Sequence, residues 1–227
     1  MHAILSKVLM WSEVWSLLIP LAIIIIYRVK GSDMWPVVLY VTIAFVLNLA
    51  ATLISVYYNS LPSWLQNNNI LYNLHSLVRV LLFSWYVISL KLIRPEWLTK
   101  IILPVYVTLV LINFIFLESP LFLNTRLFSA ESIVLLTLCL LYFISSMRDE
   151  SDNNWLRHPS FLICAGISFY EAITFFIFLF FYPLLEKNLE FGVLTMKIYS
   201  VSYIILCVLL ALALYRSRKQ SVAIVRR

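Results

Sequence analysis

The sequence predicts an all-α membrane protein, a bundle of seven transmembrane helices that forms one domain over residues 1–227. Of the 227 residues, 63% are hydrophobic and only 12% are charged, whereas soluble domains carry roughly 25% charged residues. Seven apolar runs of spanning length occupy nearly the whole chain. In addition, Lys and Arg are concentrated on one side of these runs, which is typical of multi-pass membrane proteins.

The predicted helices cover residues 8–27, 35–58, 70–92, 101–117, 127–147, 160–185 and 193–215. The stronger charge of the first run follows the apolar core, so the run indicates a retained helix and not a secretory signal. Pro20 is expected to kink this helix. The other runs hold several polar or ionisable residues, which include Asn48, His75, Arg79, Glu131, Glu171 and Lys197.

The distribution of basic residues predicts the orientation. Twelve of the seventeen Lys and Arg lie in three alternate loops and in the basic tail, residues 216–227, and four lie on the other side. The positive-inside rule therefore predicts an external N-terminus and a cytoplasmic tail. The tail indicates attraction to anionic lipid, at about 1 kcal/mol per basic residue near the surface, or a docking site for a cytoplasmic signalling partner.

This orientation gives each buried charge a depth, at about 1.5 Å per residue. All the charges within the spans then lie in the outer half of the membrane or at its centre. Because buried charges need partners, we expect Arg79 to pair with Glu171, and Lys197 to pair with Glu131 or Glu13. Glu13 and Lys197 are also close enough to the interface to extend to water.

The polar residues favour one face of the third helix, on which Tyr72, His75 and Arg79 share a stripe. Ionisable residues inside a membrane indicate function by default. We therefore predict an outward-opening cavity for a small polar or zwitterionic ligand, and the alternative is a set of ion pairs that holds the helices in register. The candidate ligand-binding or ion-pair residues are Arg79, Glu171, His75, Glu131, Lys197, Tyr72, Tyr203 and Asn48.

The predicted function is a receptor-like membrane sensor that acts through a separate partner. The alternatives are a transporter of a small solute or lipid, and a structural or assembly subunit of a membrane complex without a ligand. No cofactor or nucleic-acid partner is expected. A metal site is not expected either, because only one histidine, His75, lies in a span. No catalytic motif occurs, so an intramembrane hydrolase that uses Glu171 and His75 is a minor alternative.

Three segments carry a family resemblance: NNNILYNLHSLVRVLLFSWY, ESIVLLTLCLLYF and HPSFLICAGISFYEAITFFIFLF. They resemble the third, fifth and sixth helices of uncharacterised bacterial seven-helix membrane proteins, which are similar to the input modules of sensor kinases. The resemblance implies a bacterial inner-membrane location and a sensory role without a kinase on the same chain. In those proteins a carboxylate lies near the position of Arg79. This chain has an arginine there instead, so we expect the charges of the pair to be exchanged, with the cation at Arg79 and the carboxylate at Glu171.

Overall fold

The computed structural model is all-helical and describes residues 8–9, 11–28, 32–62, 65–93, 96–117, 119, 121–148, 155–180 and 189–225. Seven apolar helices follow one another, and this described part contains no strand. They are α1 (Ser12–Tyr27), α2 (Trp35–Val56), α3 (Asn69–Ser89), α4 (Glu96–Ile112), α5 (Thr125–Arg148), α6 (Pro159–Leu179) and α7 (Leu189–Val225). Six of them, α2 to α7, are long and apolar enough to cross a membrane.

The first helix is shorter than the predicted span and is broken in two. It consists of Ser12–Trp15 and Leu18–Tyr27, and together these are apolar but below spanning length. Pro20 explains the break, because it has no N–H to donate to the carbonyl of Ser16. Instead, the N–H of Ile19 donates to the carbonyl of Ser16 over 3.2 Å, which closes a tighter, three-residue turn. The expected kink at Pro20 is therefore present as an interruption of the helix.

Two other helices differ from the predicted limits by more than three residues. The fourth begins at Glu96 and continues beyond Ile112 as a π-helical turn, Asn113–Leu117. The seventh runs from Leu189 to Val225, so most of the predicted basic tail is helical and continues the membrane helix. The predicted end of the sixth helix at 185 falls among residues 181–188, which lie outside the described residues.

Helices α5, α6 and α7 pack side by side, and α3 joins them through α5. Helix α2 packs on α3, and α1 packs mainly on α7. Gly166 permits a close approach of α6 and α7, because a Cβ atom there would lie 3.2 Å from Leu209 Cβ. Helix α4 packs least and exposes most of its apolar surface. The core therefore sits between α2, α3, α5, α6 and α7.

Three asparagines at and just before the start of α3 contact the α4–α5 loop. Asn67 and Asn69 donate to the carbonyl of Leu121 over 2.8 and 3.1 Å. Asn73 donates to the carbonyl of Phe122 over 2.9 Å. These bonds satisfy backbone acceptors of the α4–α5 loop at the start of α3. These three asparagines therefore fix the α4–α5 loop to the beginning of α3.

Candidate functional site

Three buried charged residues form an ion cluster between α3, α5 and α6. Arg79 Nε contacts Glu131 Oε1 and lies 3.3 Å from Glu171 Oε1. Ser76, one turn before Arg79, donates to the other oxygen of Glu131. Ser132, next to Glu131, donates to Glu171 Oε2 over 2.7 Å. The arrangement thus places one guanidinium between two carboxyl groups from different helices, and it includes the expected contact of Arg79 with Glu171.

A chain of hydroxyl groups leads from the ion cluster to α7 and α1. Arg79 Nη1 donates to the hydroxyl of Tyr170 over 2.8 Å, and Tyr170 donates to the hydroxyl of Tyr199 over 2.9 Å. The guanidinium carbon also lies 4.8 Å from the centre of the Tyr170 ring, within the range of a cation–π contact. Tyr199 lies next to the carboxyl group of Glu13. Four helices, α3, α6, α7 and α1, are therefore linked by polar groups.

His75 and Asn48 lie in an aromatic layer beside the cluster. The Nε2 atom of His75 is 3.4 Å from the hydroxyl of Tyr40, and the two rings are stacked with centroids 5.9 Å apart. Asn48 donates to the hydroxyl of Tyr203 over 3.3 Å. The Tyr203 ring contacts the rings of His75 and Tyr170 edge-on, with centroids 6.4 and 5.6 Å apart. These contacts bring three further candidates, His75, Asn48 and Tyr203, to the neighbourhood of Arg79.

Several buried polar atoms in and around the cluster have no hydrogen-bond partner among the described residues. Glu171 Oε1 is one, since its approach to Arg79 does not have hydrogen-bond geometry. The hydroxyls of Ser168 and Thr174 are two more, and they lie three residues before and after Glu171 on the same face of α6. Asn48 Oδ1 is also without a donor. Such atoms are rare in folded proteins, so the face of α6 around Glu171 has unused acceptor and donor capacity.

Two predicted site residues lie away from the cluster. Lys197 is half-buried and lines a separate cleft of about 300 Å³ with Glu190, Val193 and Leu194. The expected pairing of Lys197 with Glu131 is wrong, because Glu131 contacts Arg79 and Ser76. Lys197 forms no ion pair with Glu13 either. Tyr72 packs against the apolar group of Phe128, Ile177 and Phe178, so its ring contributes to packing at the start of α3.

The cluster is closed to solvent in this conformation. Arg79 is 1% exposed, and Glu131 and Glu171 are 0% exposed. The predicted open cavity is therefore not seen at these residues, which are buried among α3, α5 and α6 and contact the hydroxyl of Tyr170. Within the described part of the chain, no three His, Cys, Asp or Glu side chains are grouped so that they could hold a metal ion.

Sequence reasoning missed Tyr170 and Tyr199, which connect Arg79 to α7. Tyrosines in apolar runs are commonly assigned to the membrane interface, and this obscured their position. Their depth was the available signal, because Tyr170 lies in the middle of the sixth run beside Glu171. Comparison of the chain with protein families, curated proteins and solved structures finds no match.

Proposed function

We propose that the protein is a receptor-like membrane sensor that binds a small ligand at the ion cluster. The ligand carries an ammonium group or another N–H donor. Glu171 Oε1 supports this proposal most directly, because it is a buried carboxylate oxygen with no hydrogen bond from a described residue. An unsatisfied buried acceptor costs about 1–3 kcal/mol, and more when it is charged. A donor group placed there would remove this cost.

The charge of the cluster supports the same ligand class. One guanidinium, that of Arg79, faces the carboxyl groups of Glu131 and Glu171. When both carboxyl groups are ionised, one negative charge is not balanced within the cluster. A buried, uncompensated charge is strongly unfavourable. A cationic or zwitterionic ligand would supply the missing positive charge, whereas an anionic ligand would add to the imbalance.

The position of the cluster along the helices favours access from outside. Glu131 lies six residues from the start of α5, Glu171 eight from the end of α6, and Arg79 ten from the start of α3. These intervals correspond to depths of about 9, 12 and 15 Å. Under the predicted orientation, all three ends face outwards. Buried charge on one side only is more consistent with a binding site than with a transport pathway.

The same contacts suggest how binding would reach a cytoplasmic partner. Tyr170 is adjacent to Glu171 in the chain and connects Arg79 to Tyr199 on α7. A ligand that draws Glu171 or Arg79 towards itself would alter these two hydrogen bonds. Because α7 continues to Val225, the altered contacts act on the helix that extends towards the predicted cytoplasmic side. The partner would therefore respond to the position of α7.

Thermal unfolding with small cations tests the proposal. The purified protein in detergent micelles is heated with ammonium, choline, glycine or sodium at constant ionic strength. We expect at least one of the first three to raise the melting temperature, because a ligand at 100 times its Kd adds about 2.7 kcal/mol to the free energy of unfolding. Glu171→Gln should abolish this rise, and Glu190→Gln, an exposed carboxyl outside the cluster, should retain it. No rise with any probe, or an equal rise in Glu171→Gln, contradicts the proposal.

The complete burial of the cluster favours a second function, a structural subunit without a ligand. In that case the ion cluster would serve only to hold α3, α5 and α6 together. The triple variant Arg79→Met, Glu131→Gln, Glu171→Gln separates the two functions, because replacing a whole buried ionic group by neutral side chains is often neutral or stabilising. A sensor variant would stay folded and lose its response to ammonium compounds. A structural subunit would stay folded as well, but the unmodified protein would already show no response to ammonium compounds.

A further inference from the structure

A second polar site lies at the opposite end of the bundle, on the C-terminal half of α7. A cleft of about 630 Å³ is lined by Arg157, Leu212, Tyr215, Arg216 and Lys219. Arg157 belongs to the short turn Trp155–Arg157 before α6, and the other four residues follow one face of α7. The ion cluster contains none of these residues. The cleft is therefore a separate site.

Three positive charges converge on this cleft. None of Arg157, Arg216 and Lys219 forms an ion pair with a residue that the structure describes. Like charges held close together repel one another, so an anion in the cleft would be stabilised by all three. The two guanidinium groups suit a phosphate group in particular, because their planar forks donate paired hydrogen bonds to its oxygens.

Leu212 gives the cleft an apolar side, which continues along the exposed surface of α7. Leu212 is 45% exposed, and Val208, one turn earlier, is 39% exposed. Tyr215 is fixed by an edge-on contact with Tyr27, with centroids 5.4 Å apart, and the Nζ atom of Lys219 lies 4.8 Å from the centre of the Tyr215 ring. The site thus combines cations at its rim with an apolar surface directed along the helix.

The length of α7 and the position of its basic residues predict that the cleft lies at the depth of the lipid headgroups. Helix α7 has 37 residues and is about 55 Å long at 1.5 Å per residue, whereas the hydrocarbon core is about 30 Å thick. Its last part must therefore project from the membrane, and Tyr215 is the kind of residue that marks the interface. Arg216 and Lys219 follow at the level where phosphate groups lie.

We infer that this cleft binds one anionic phospholipid. Arg157, Arg216 and Lys219 hold the headgroup phosphate, and the acyl chains run along Leu212 and Val208. Basic pockets between helices at the cytoplasmic side are known to bind anionic headgroups. The apolar wall selects a lipid over a soluble phosphate, because a soluble anion would gain nothing from contact with Leu212. The lipid would join the turn before α6 to the end of α7.

Native mass spectrometry tests this inference through lipid selectivity. The full-length protein in detergent is titrated with phosphatidylglycerol or with phosphatidylcholine of the same acyl chains, and bound lipids are counted. We expect the first phosphatidylglycerol to bind about tenfold more tightly than phosphatidylcholine. Arg157→Gln with Arg216→Gln should remove this preference. The matched control, Lys100→Gln with Arg148→Gln, removes two charges elsewhere on the same side and should retain it.

A milder variant provides a result even if the double variant does not fold. Arg216→Gln alone changes one exposed residue and should lower the preference about threefold. An unchanged preference in Arg216→Gln overturns the inference. Equal loss in the cleft and control double variants also overturns it, since it would indicate diffuse surface charge. Displacement of phosphatidylglycerol by an equal concentration of inorganic phosphate would likewise overturn it and assign the cleft to a soluble anion.

Discussion

At the scale of single residues, Arg79 determines the polar organisation of the core. Its Nε atom faces two carboxyl groups, and its Nη1 atom donates to Tyr170. A planar guanidinium can serve several acceptors in fixed directions, which a lysine ammonium cannot do in the same way. Because Glu131, Glu171 and Tyr170 come from α5 and α6, one side chain of α3 sets the relative positions of three helices.

Removal of Arg79 should therefore be costly. Arg79→Met leaves two buried carboxyl groups without their cation, and loss of one partner of a buried pair costs about 3–5 kcal/mol. We expect a decrease of this size in the free energy of unfolding, measured in micelles by denaturant titration with tryptophan fluorescence. Adding Glu131→Gln should restore part of the loss. Lys100→Met, at an exposed site, serves as the control, and an Arg79→Met protein as stable as this control would refute the prediction.

The two tyrosines of the hydroxyl chain should differ in their effect. Tyr170→Phe removes a charge-assisted hydrogen bond from Arg79, whereas Tyr199→Phe removes only the bond between two hydroxyls and the contact with Glu13. We expect losses of about 1.5 kcal/mol or more for Tyr170→Phe and about 0.6 kcal/mol for Tyr199→Phe. Because the groups share one network, the double variant should lose less than the sum. Unfolding free energies of the three variants check this order, and fully additive losses would contradict it.

The charged residues of the site could be found from the sequence, but their pairing could not. Arg79, Glu131 and Glu171 stand out because charges are costly inside apolar runs. Counting residues along a helix gives depth, yet it does not say which neighbouring helix a side chain faces. This is why Lys197, at a similar depth to Glu131, was a wrong partner for it. Tyr170 and Tyr199 were missed because tyrosine also suits the membrane interface.

At the scale of helices, α6 and α7 approach each other closely at Gly166. A Cβ atom added at Gly166 would lie 3.2 Å from Leu209 Cβ and 3.3 Å from Leu206 Cδ1. Small residues at such contacts let backbones approach in membranes, where dispersion contacts replace the hydrophobic effect as the source of stability. Along α6, Gly166 lies between Glu171 of the ion cluster and the turn with Arg157 that lines the cleft at the end of α7.

Enlarging Gly166 should separate α6 and α7. Gly166→Leu adds a side chain where no space exists, and overpacking typically costs about 1–3 kcal/mol. We expect a lower melting temperature in detergent. Gly166→Ala should have a smaller effect, because Leu209 needs to move by only a few tenths of an ångström. If Gly166→Leu melts at the same temperature as the wild type, the close approach of the two helices is not required for stability.

Long apolar runs predicted the existence of every helix, while the helix ends depended on other forces. The break in α1 follows from the missing N–H of Pro20, which a hydropathy count does not register. The extension of α7 was missed because RSRKQ ends the apolar run, although Arg, Lys and Gln favour helix and nothing in that stretch stops one. A helix end needs a stop signal, and a loss of hydrophobicity is not one.

At the scale of the whole molecule, charge is distributed unequally between the two ends of the bundle. The end with the Asn-rich contacts is poor in Lys and Arg, and the other end holds the basic loops and the continuation of α7. By the positive-inside rule, this distribution predicts an external N-terminus and a cytoplasmic C-terminal end of α7. With this orientation, the ion cluster would lie nearer the outer surface, and the proposed lipid cleft would face the cytoplasmic leaflet.

Cysteine labelling in intact cells checks the orientation. Ser60 and Leu156 are exposed and lie at opposite ends of the bundle, and the native Cys139, Cys164 and Cys207 are buried. A membrane-impermeant maleimide should therefore label Ser60→Cys and leave Leu156→Cys unlabelled until the cells are opened. The unmodified protein gives the background. Labelling of Leu156→Cys in intact cells would reverse the orientation and place the ion cluster nearer the cytoplasm.

The uninterrupted course of α7 has a mechanical consequence. Tyr199 and Val225 belong to one helix, and the 26 residues between them correspond to about 39 Å. A rigid rod of this length converts a tilt of about 5° at Tyr199 into a displacement of about 3 Å at its far end. With the predicted orientation, a change in the two hydrogen bonds of Tyr170 would therefore move the cytoplasmic end of α7 by about 3 Å. A displacement of this size is enough to exchange one side-chain contact for another.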